Sequence, residues 1–505
     1  AGDGNYSHAY VSCADKVKYV QTPQGMVGIT VPQNHRQAML TVHAQQWLKA
    51  EEIEIDTCEG MGTWARVPRL SLPKGTKIYK CKFAYDVKVD GRTGKLEKFK
   101  ARLVFMGNLQ GNESYTAVYA NTVRYASVRA LLAIGAARDY ELFNVDIKAA
   151  YLSSKMDVEL YMLEPPGHET VDAEGNTGGT VLRLIKALYG AKQSAALFRK
   201  RLHTWLVDYG FTPTIHDDCV YTQRGPDGEE LFVGIFVDDI IACASCGKVR
   251  RKFIESLSKE FTIDDRGDLE WALGLRVARD RSRRALTISC EARIRAMGER
   301  FDIDTRTMRA YDTPADQTLL QLHKNNDGGV SANDTMLEAE AAERCRQLLG
   351  GLMWMSSTCR LDAAQAVYRA ARHMSKPTRA VMGAAQRVML YLLRTAPLGL
   401  TFGGAGTDGV LQAMHKAVSI QRPSAGSSEE HLRQGLQALS DASWEALEAG
   451  VTGHVGMYSG GALSWTSKKQ PSISLSSAEA ETFAAASAAA DVLWIRGLLS
   501  ELGAV

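Results

Sequence analysis

An α+β fold built from several subdomains is predicted, on three observations. An Ala/Leu-rich helix, an apolar strand and an apolar hairpin follow one another between Ser127 and Ile241, an order that suits an α+β layer. Both apolar segments end in acids: Leu142-Phe143-Asn144-Val145-Asp146-Ile147 carries Asp146, and the run from Leu231 to Val237 stops at Asp238-Asp239. The length of 505 residues, 45% of them hydrophobic and 23% charged, supports an ample core.

Residues 1–35 carry little signal. His35 to Glu59 has a helical pattern with Trp47 and Leu48 as apolar anchors. Thr76 to Val89 alternates lysines with Ile78, Cys81, Phe83 and Tyr85, which predicts a strand; Asp90-Gly91-Arg92-Thr93-Gly94 is a hairpin turn and Phe99 to Met106 the returning strand. Ser127 to Asp139 is the Ala/Leu-rich helix leading into the Asp146 strand, and Asp172 to Gly179 a polar, Gly-rich loop. Ser194 to Tyr209 is an amphipathic helix with Leu197, Phe198, Leu202, Trp205 and Leu206 on one face. Cys219 to Thr222 and Leu231 to Ile241 form a hairpin around Gly225-Pro226-Asp227-Gly228. Val249 to Phe261 reads as a helix, Leu269 to Val277 and Ala285 to Ser289 as strands, and Ala341 to Thr395 as helical and apolar. Gly403 to Gln434 has a linker composition, and no internal repeat is visible.

Composition excludes several classes. No apolar run approaches a membrane span, so no membrane partner is expected, and the opening Ala-Gly-Asp-Gly-Asn-Tyr-Ser has no signal-peptide character. Ala1 in place of Met suggests a fragment of a longer product. Nine cysteines, an odd number without a framework, read as reduced thiols; Cys243-Ala244-Ser245-Cys246 has no second pair at zinc spacing. The net charge of +3 hides basic segments. Ten basic and three acidic residues lie between Lys74 and Arg102, and ten arginines against five acids between Arg276 and Arg309. Such stretches track a phosphate backbone or form a solvated face; their position on either side of the acid-tipped strands favours a nucleic-acid channel.

Adjacent carboxylates repel, and burying them unpaired forces protonation or costs free energy. Divalent cations relieve this, and Mg²⁺ is commonly held by one or two carboxylates plus substrate phosphates. Two converging acid-tipped strands could build a two-metal site for in-line phosphoryl displacement. On spacing alone, a pair of hairpin-turn aspartates is an equal alternative.

The surrounding residues resemble the reverse transcriptase of copia-type LTR retrotransposons. Phe143-Asn144-Val145-Asp146-Ile147-Lys148-Ala149-Ala150-Tyr151-Leu152 is similar to that family's first catalytic motif, and Phe236-Val237-Asp238-Asp239 to its "YVDD". Glu159-Leu160-Tyr161-Met162-Leu163-Glu164-Pro165-Pro166-Gly167 resembles "YM-QP-G", and Leu188-Tyr189-Gly190-Ala191-Lys192-Gln193 is close to "LYGLKQ". Gly62-Thr63-Trp64, Lys100-Ala101-Arg102-Leu103-Val104, Leu273-Gly274-Leu275 and Ser375-Lys376-Pro377-Thr378 match further landmarks in order. The block from Ala462 to Pro471, then Leu475-Ser476-Ser477-Ala478-Glu479-Ala480-Glu481, resembles the start of the family's RNase H domain.

The resemblance implies a right-hand polymerase fold followed by a truncated RNase H-like α/β domain. Its parts would be an N-terminal segment at 1–60, fingers at 61–139, a palm at 140–290, a mainly helical thumb or connection at 291–402, a linker at 403–434 and the partial RNase H-like domain at 435–505. Asp146, Asp238 and Asp239 become the catalytic metal ligands, for Mg²⁺ or Mn²⁺, with Asp239 more peripheral. Lys100 and Arg102 would meet the triphosphate. Tyr151 would lie under the sugar and exclude a 2′-hydroxyl; an ordinary core tyrosine is the alternative. Gly190, Lys192 and Gln193 would pack on the template base and incoming nucleotide, and Leu273, Gly274 and Leu275 would hold the primer.

The usual Ala-Pro-Arg after Gln193 is replaced by Ser194-Ala195-Ala196, and Phe236 stands in place of the common Tyr. Asp441 and Glu479 match the first two acids of the RNase H site, with Glu481 as a second choice for the latter. The next acid does not appear before Val505, so no independent RNase H activity is expected. The implied activity is RNA-directed DNA polymerisation on an RNA or DNA template with a primer and dNTPs, within a longer polyprotein, in a cytoplasmic virus-like particle or the nucleus. The alternative is a decayed or co-opted copy acting as a non-catalytic nucleic-acid-binding protein.

Overall fold

The central layer is a six-stranded antiparallel sheet, and its sequence explains why both of its faces are covered. The computed structural model describes residues 16–23, 25–89, 95–111, 115, 118–317, 319, 335–403, 435–444 and 449–505. The predicted turn 90–94 and residues 404–434 of the predicted linker lie outside them.

The chain begins with a hairpin of β1 (Lys16–Thr22) and β2 (Gly25–Val31), then α1 (His35–Ala38) and α2 (Ala44–Gly60). β3 (Trp64–Pro68) and β4 (Ile78–Tyr79) precede the long antiparallel pair β5 (Cys81–Val89) and β6 (Leu96–Phe105). α3 (Tyr125–Ala137) leads into β7 (Glu141–Ile147), followed by β8 (Tyr161–Leu163), β9 (Thr180–Leu184) and α4 (Ser194–Asp208). Next come β10 (Thr212–Pro213), β11 (Val220–Arg224), β12 (Glu230–Phe236), β13 (Asp239–Ala244), α5 (Gly247–Glu260) and β14 (Ile263–Asp268). The central sheet has the order β10-β11-β12-β13-β7-β14.

Strand residues alternate between the faces of a sheet, and here each face has an apolar cover. Leu142, Ile241 and Cys243 join α3 in one cluster. Phe143, Val145, Ile147, Ile240 and Ala242 join Phe198, Leu202 and Leu206 of α4 with Phe253 and Leu257 of α5 in another. The near-continuous apolar runs of β7, β12 and β13 follow from burial on both faces.

The region predicted as a single strand from Leu269 to Val277 is two strands, β15 (Trp271–Ala272) and β16 (Leu275–Asp280), hinged at Leu273-Gly274. They form a second sheet with β17 (Ala285–Ser289) and β18 (Leu400–Phe402). Between these last two lie α6 (Glu291–Arg300), which precedes the predicted helical region, and α7 (Ala339–Thr358), α8 (Ala364–Ala371) and α9 (Arg379–Arg394), which divide that region into separate helices. The C-terminal unit is the antiparallel sheet β19 (Gln437–Ala442), β20 (Val451–Tyr458) and β21 (Gly461–Lys469), with α10 (Ser477–Glu501) packed on β19 and β20.

Two expectations are corrected. The division at 139/140 does not follow the packing: α3 belongs with the central sheet, whereas Leu152, Leu160, Met162, Leu182, Leu184 and Leu188 pack into the cluster of β5, β6 and α2. The chain returns to the first unit after crossing the sheet edge, which a linear partition cannot express. Secondly, α10 is long and apolar enough, by length and composition, to cross a membrane. Its alanines supply that character, and its buried residues Ala480, Ala484, Ala488, Ile495, Leu498 and Leu499 recur on one face.

Arg129 of α3 joins these units. Buried, it donates through Nε to the Leu463 carbonyl at 2.7 Å and through Nη1 to those of Ser357 at 3.2 Å and Thr358 at 2.7 Å, with Trp465 stacked 4.2 Å away. Burial pushes its guanidinium down to about 9. Removing such a donor strands buried carbonyls, each worth about 1–3 kcal/mol. Arg129→Met is therefore expected to lower the melting temperature clearly in a thermal-unfolding measurement; an unchanged transition would mean that this junction carries no stability.

Candidate active site

Strand pairing brings the acids together. Asp146 near the end of β7 stands directly opposite Asp239 at the start of β13, and Phe236 pairs with Asp239 across a two-residue loop, Val237-Asp238. Val237 has φ +57°, a conformation that a β-branched residue adopts only under strain of about 1–3 kcal/mol. The amide of Ile147 donates to the Asp238 carbonyl at 2.9 Å and fixes this loop beside β7. A fourth carboxylate, Asp264 of β14, faces Asp146 from the other side.

Two cations compensate part of this charge, and one of them, Lys148, lies with Nζ 3.7 Å from Asp264 Oδ1. Arg266, beside a bulge in β14, reaches Asp146 Oδ1 with Nη2 at 3.0 Å and Asp239 Oδ1 with Nη1 at 3.2 Å, and its side chain is 45% exposed. Burial pushes the Asp239 carboxyl up to about 6; Arg266 opposes the shift, and Asp238 and Asp146 add to it. Burial also raises Asp146, opposed by Arg266, reinforced by Asp238 and Asp264, and opposed again by Lys100. A guanidinium thus sits where a cation is attracted. The donors are all carboxylate oxygens, the set that suits a hard divalent ion.

Lys100 and Arg102 lie two apart on β6, on the face opposite buried Ala101 and Leu103. Burial and then repulsion from Arg102 lower the Lys100 ammonium, so it is poised near other charge. The Arg102 guanidinium lies 4.8 Å from the Tyr189 ring centre. Tyr151 packs 4.8 Å from Tyr189 and 6.2 Å from Phe198; burial raises its phenol, the Asp238 charge adds to this and Arg102 opposes it. Tyr151 therefore bridges the acids and the β6 cations electrostatically.

Gly190, at φ +88°, is backed onto β6: a Cβ there would collide with the Phe105 carbonyl oxygen. Phe105 N donates to Tyr189 O at 2.7 Å. Lys192 Nζ donates to Gln110 O at 3.0 Å and lies 4.5 Å from the Tyr115 ring centre. Gln193 is buried, accepts from Gln110 Nε2 at 3.1 Å and donates to Asp157 Oδ1 at 3.3 Å. In this arrangement Lys192 and Gln193 brace the segment around Gly190, which forms a wall against β6, through Gln110 and Asp157. Leu273 and Gly274, at φ +48° and +81°, form the tight turn between Ala272 and Leu275. Asn144 Nδ2 donates to Trp271 O at 3.4 Å, which ties this turn's sheet to β7.

In the C-terminal unit Asp441 is exposed on β19. Glu481 accepts from Ala442 N at 3.3 Å, whereas Glu479 caps α10, accepting from Leu475 N while Ser476 Oγ accepts from Glu479 N at 3.2 Å. The expected preference for Glu479 over Glu481 is thus reversed by position, because a Ser-x-x-Glu start makes the glutamate a cap. Asp491 points at the sheet, accepting from Ser464 and lying 3.3 Å from His454 Nε2.

Asp264 and Arg266 escaped the sequence reading. Their signal is the charged run Asp264-Asp265-Arg266-Gly267-Asp268, which looks like a loop until β14 is seen to pair with β7. Asp217, Asp218 and Cys219 also converge. Asp217 is spent on Ser127 Oγ at 2.6 Å and the amides of Arg124 at 3.1 Å and Cys219 at 3.0 Å, and burial pushes the Cys219 thiol up to about 12. That group is a structural cap.

Residues 63–309 match the family described as "Reverse transcriptase (RNA-dependent DNA polymerase)". The chain is similar to the retrovirus-related Pol polyprotein from transposon TNT 1-94 of Nicotiana tabacum, 28% identical over 473 residues, covering 94% of this chain and 33% of that protein. The Pol polyproteins from transposons RE2 and RE1 of Arabidopsis thaliana are 27% and 26% identical, covering 93% and 94% of this chain and 29% and 30% of theirs. The chain spans about a third of the length of these relatives. Among solved structures, a foamy viral protease-reverse transcriptase in complex with double-stranded DNA gives a TM-score of 0.45 at 11% identity, covering 88% of this chain and 60% of that one.

Two outcomes follow from the charges. With its carboxyl raised to about 6, Asp239 favours folding at low pH, and that stability is lost as the pH rises through about 6, because the unfolded chain ionises first, near pH 4. Without divalent ions, Asp239→Asn should melt above wild type near pH 7.5, with the gap closing near pH 4; equal gaps would contradict the assignment. Arg266→Met should lower metal-free stability yet tighten Mn²⁺ binding by up to about fivefold by calorimetry, since a competing exposed ion pair is worth up to about 1 kcal/mol. Weaker Mn²⁺ binding would contradict it.

Proposed function

We propose, from the premise that this chain belongs through residues 63–309 to the reverse transcriptase family, that it is an RNA-directed DNA polymerase. It extends a primer on an RNA or DNA template with dNTPs, as a segment of a longer Pol polyprotein. The observation that carries this reading is the register of Asp146 opposite Asp239, with Asp238 at the hairpin tip and the β6 cations facing the same space.

The family conventionally uses divalent metals. Asp146, Asp238 and Asp239 are the residues that would hold Mg²⁺ or Mn²⁺, and the Arg266 guanidinium lodged between two of them supports the fit. Such ions would supply charge stabilisation to the attacking and leaving oxygens of an in-line displacement. Lys100 and Arg102 orient the triphosphate, Arg through its planar fork and Lys as a point charge. Tyr151, held by tilted and edge-on contacts with Tyr189 and Phe198, presents a fixed ring that excludes a ribose hydroxyl. The wall docked by Gly190 backs the template base, and the turn Leu273-Gly274-Leu275 receives the primer terminus. The protein contributes positioning and fixed charge, and no covalent intermediate is needed.

The test is dTTP incorporation on oligo(dT)-primed poly(rA) with Mg²⁺. Wild type should extend the primer, and Asp238→Asn/Asp239→Asn should lose on the order of 10³-fold or more. Template binding without extension in wild type would overturn the reading in favour of a non-catalytic binder. Tyr151→Val should raise ribonucleotide incorporation relative to dNTP by about tenfold or more in a competition assay; unchanged discrimination would return Tyr151 to the core.

A further inference from the structure

Three side chains from distant segments meet on the far side of the β5–β6 pair from the palm acids. His35 opens α1, Glu51 lies mid-way along α2, and His168 follows Pro165-Pro166-Gly167 after β8. His35 Nδ1 lies 3.0 Å from both oxygens of Glu51, and His168 Nε2 lies 2.8 Å from Glu51 Oε2. Glu51 is 0% exposed, whereas the imidazoles keep 21% and 18% of their surface, so the cluster has a closed floor and an open lip.

We propose that His35, Glu51 and His168 form a Zn²⁺ site that fastens the N-terminal helices to the loop after β8. Two imidazole nitrogens and one carboxylate are a set that zinc takes with a water in the remaining position, and the open lip leaves room for that water. The three ligand atoms lie within 4.8 Å of one another. Zinc bonds of about 2.0–2.1 Å need ligand atoms about 3.3 Å apart in a tetrahedron, so the N···O contacts need to open by only a few tenths of an ångström.

The surroundings are those of a supported ligand set. The Tyr85 hydroxyl donates to Glu51 Oε1, as an outer-shell partner that orients the carboxylate. Gly167 lies against the His35 ring so closely that a Cβ there would collide with it, which locks the loop to α1 at the site. The His168 ring is held edge-on to Phe83 at 5.8 Å. Imidazole ligands select zinc over Mg²⁺, whereas the all-carboxylate palm cluster has the opposite preference. The two sites are therefore separable by ion, and the zinc site does not rest on the polymerase reading.

The test uses the full chain stripped with EDTA, then dialysed against Zn²⁺ with millimolar Mg²⁺ present to occupy the palm. Wild type should retain one zinc per chain by elemental analysis and melt higher with zinc than with EDTA. Co²⁺ should give the visible absorption of a four-coordinate site. His168→Phe, whose ring suits the Phe83 contact, and His35→Gln should each lose zinc affinity about 10–100-fold or more and abolish the zinc-dependent rise in melting temperature. If either variant fails to fold, the other and the wild-type Co²⁺ spectrum carry the result. Equal zinc uptake by wild type and variants, or none by wild type, would overturn the proposal and leave a hydrogen-bonded His–Glu–His triad only.

Discussion

Like-charge crowding at the end of the central sheet is the constraint on which the rest depends. Asp146 and Asp239 are paired across β7 and β13, Asp238 sits in the strained loop that joins β12 to β13, and Asp264 flanks Asp146. Strand register, fixed by apolar side chains on both faces, holds these carboxylates together against their repulsion. A one-residue slip of β13 against β7 would turn Ile240 and Ala242 out of their cluster, so the core enforces the site. Arg266 relieves part of the repulsion in the chain by itself, and half of its side chain remains free of the core.

A second layer brings cations to those acids. The β5–β6 pair is anchored from behind by Trp47, which packs against Tyr85 at 5.3 Å and Phe99 at 4.6 Å. It is docked in front by the backbone contact between Tyr189 and Phe105 and the close approach of Gly190. The chain crosses between the units more than once, so Lys100, Arg102, Tyr151 and Tyr189 share one space although nearly ninety residues separate the first from the last. The interplay of their ionisation with Asp146 and Asp238 is the electrostatic trace of that arrangement.

Much of this was legible in the sequence. The acid-tipped runs around Asp146 and Asp238-Asp239 announce buried strands because apolar residues continue without alternation, and the amphipathic face of 194–209 survives as Phe198, Leu202 and Leu206. β14 was not legible: Ile263–Asp268 is a polar edge strand with a bulge, and its pairing depends on β7 far away in sequence. The same holds for the allegiance of residues 152–191, which is set by three-dimensional packing. The choice between Glu479 and Glu481 needed the helix start, since the cap consumes the first of them. The cluster of His35, Glu51 and His168 has no spacing signature at all, because its members come from three segments.

We propose that the carboxylates of Asp146, Asp238 and Asp239 form a cation site in which the Arg266 guanidinium, paired with two of them, stands where a metal would. Anomalous diffraction from crystals grown with Mn²⁺ tests it most directly. Manganese bound by Asp146 and Asp238, with the Arg266 guanidinium withdrawn from both Asp146 and Asp239, is the predicted result. Manganese absent from these carboxylates, with Arg266 still bridging them at saturating Mn²⁺, would contradict it.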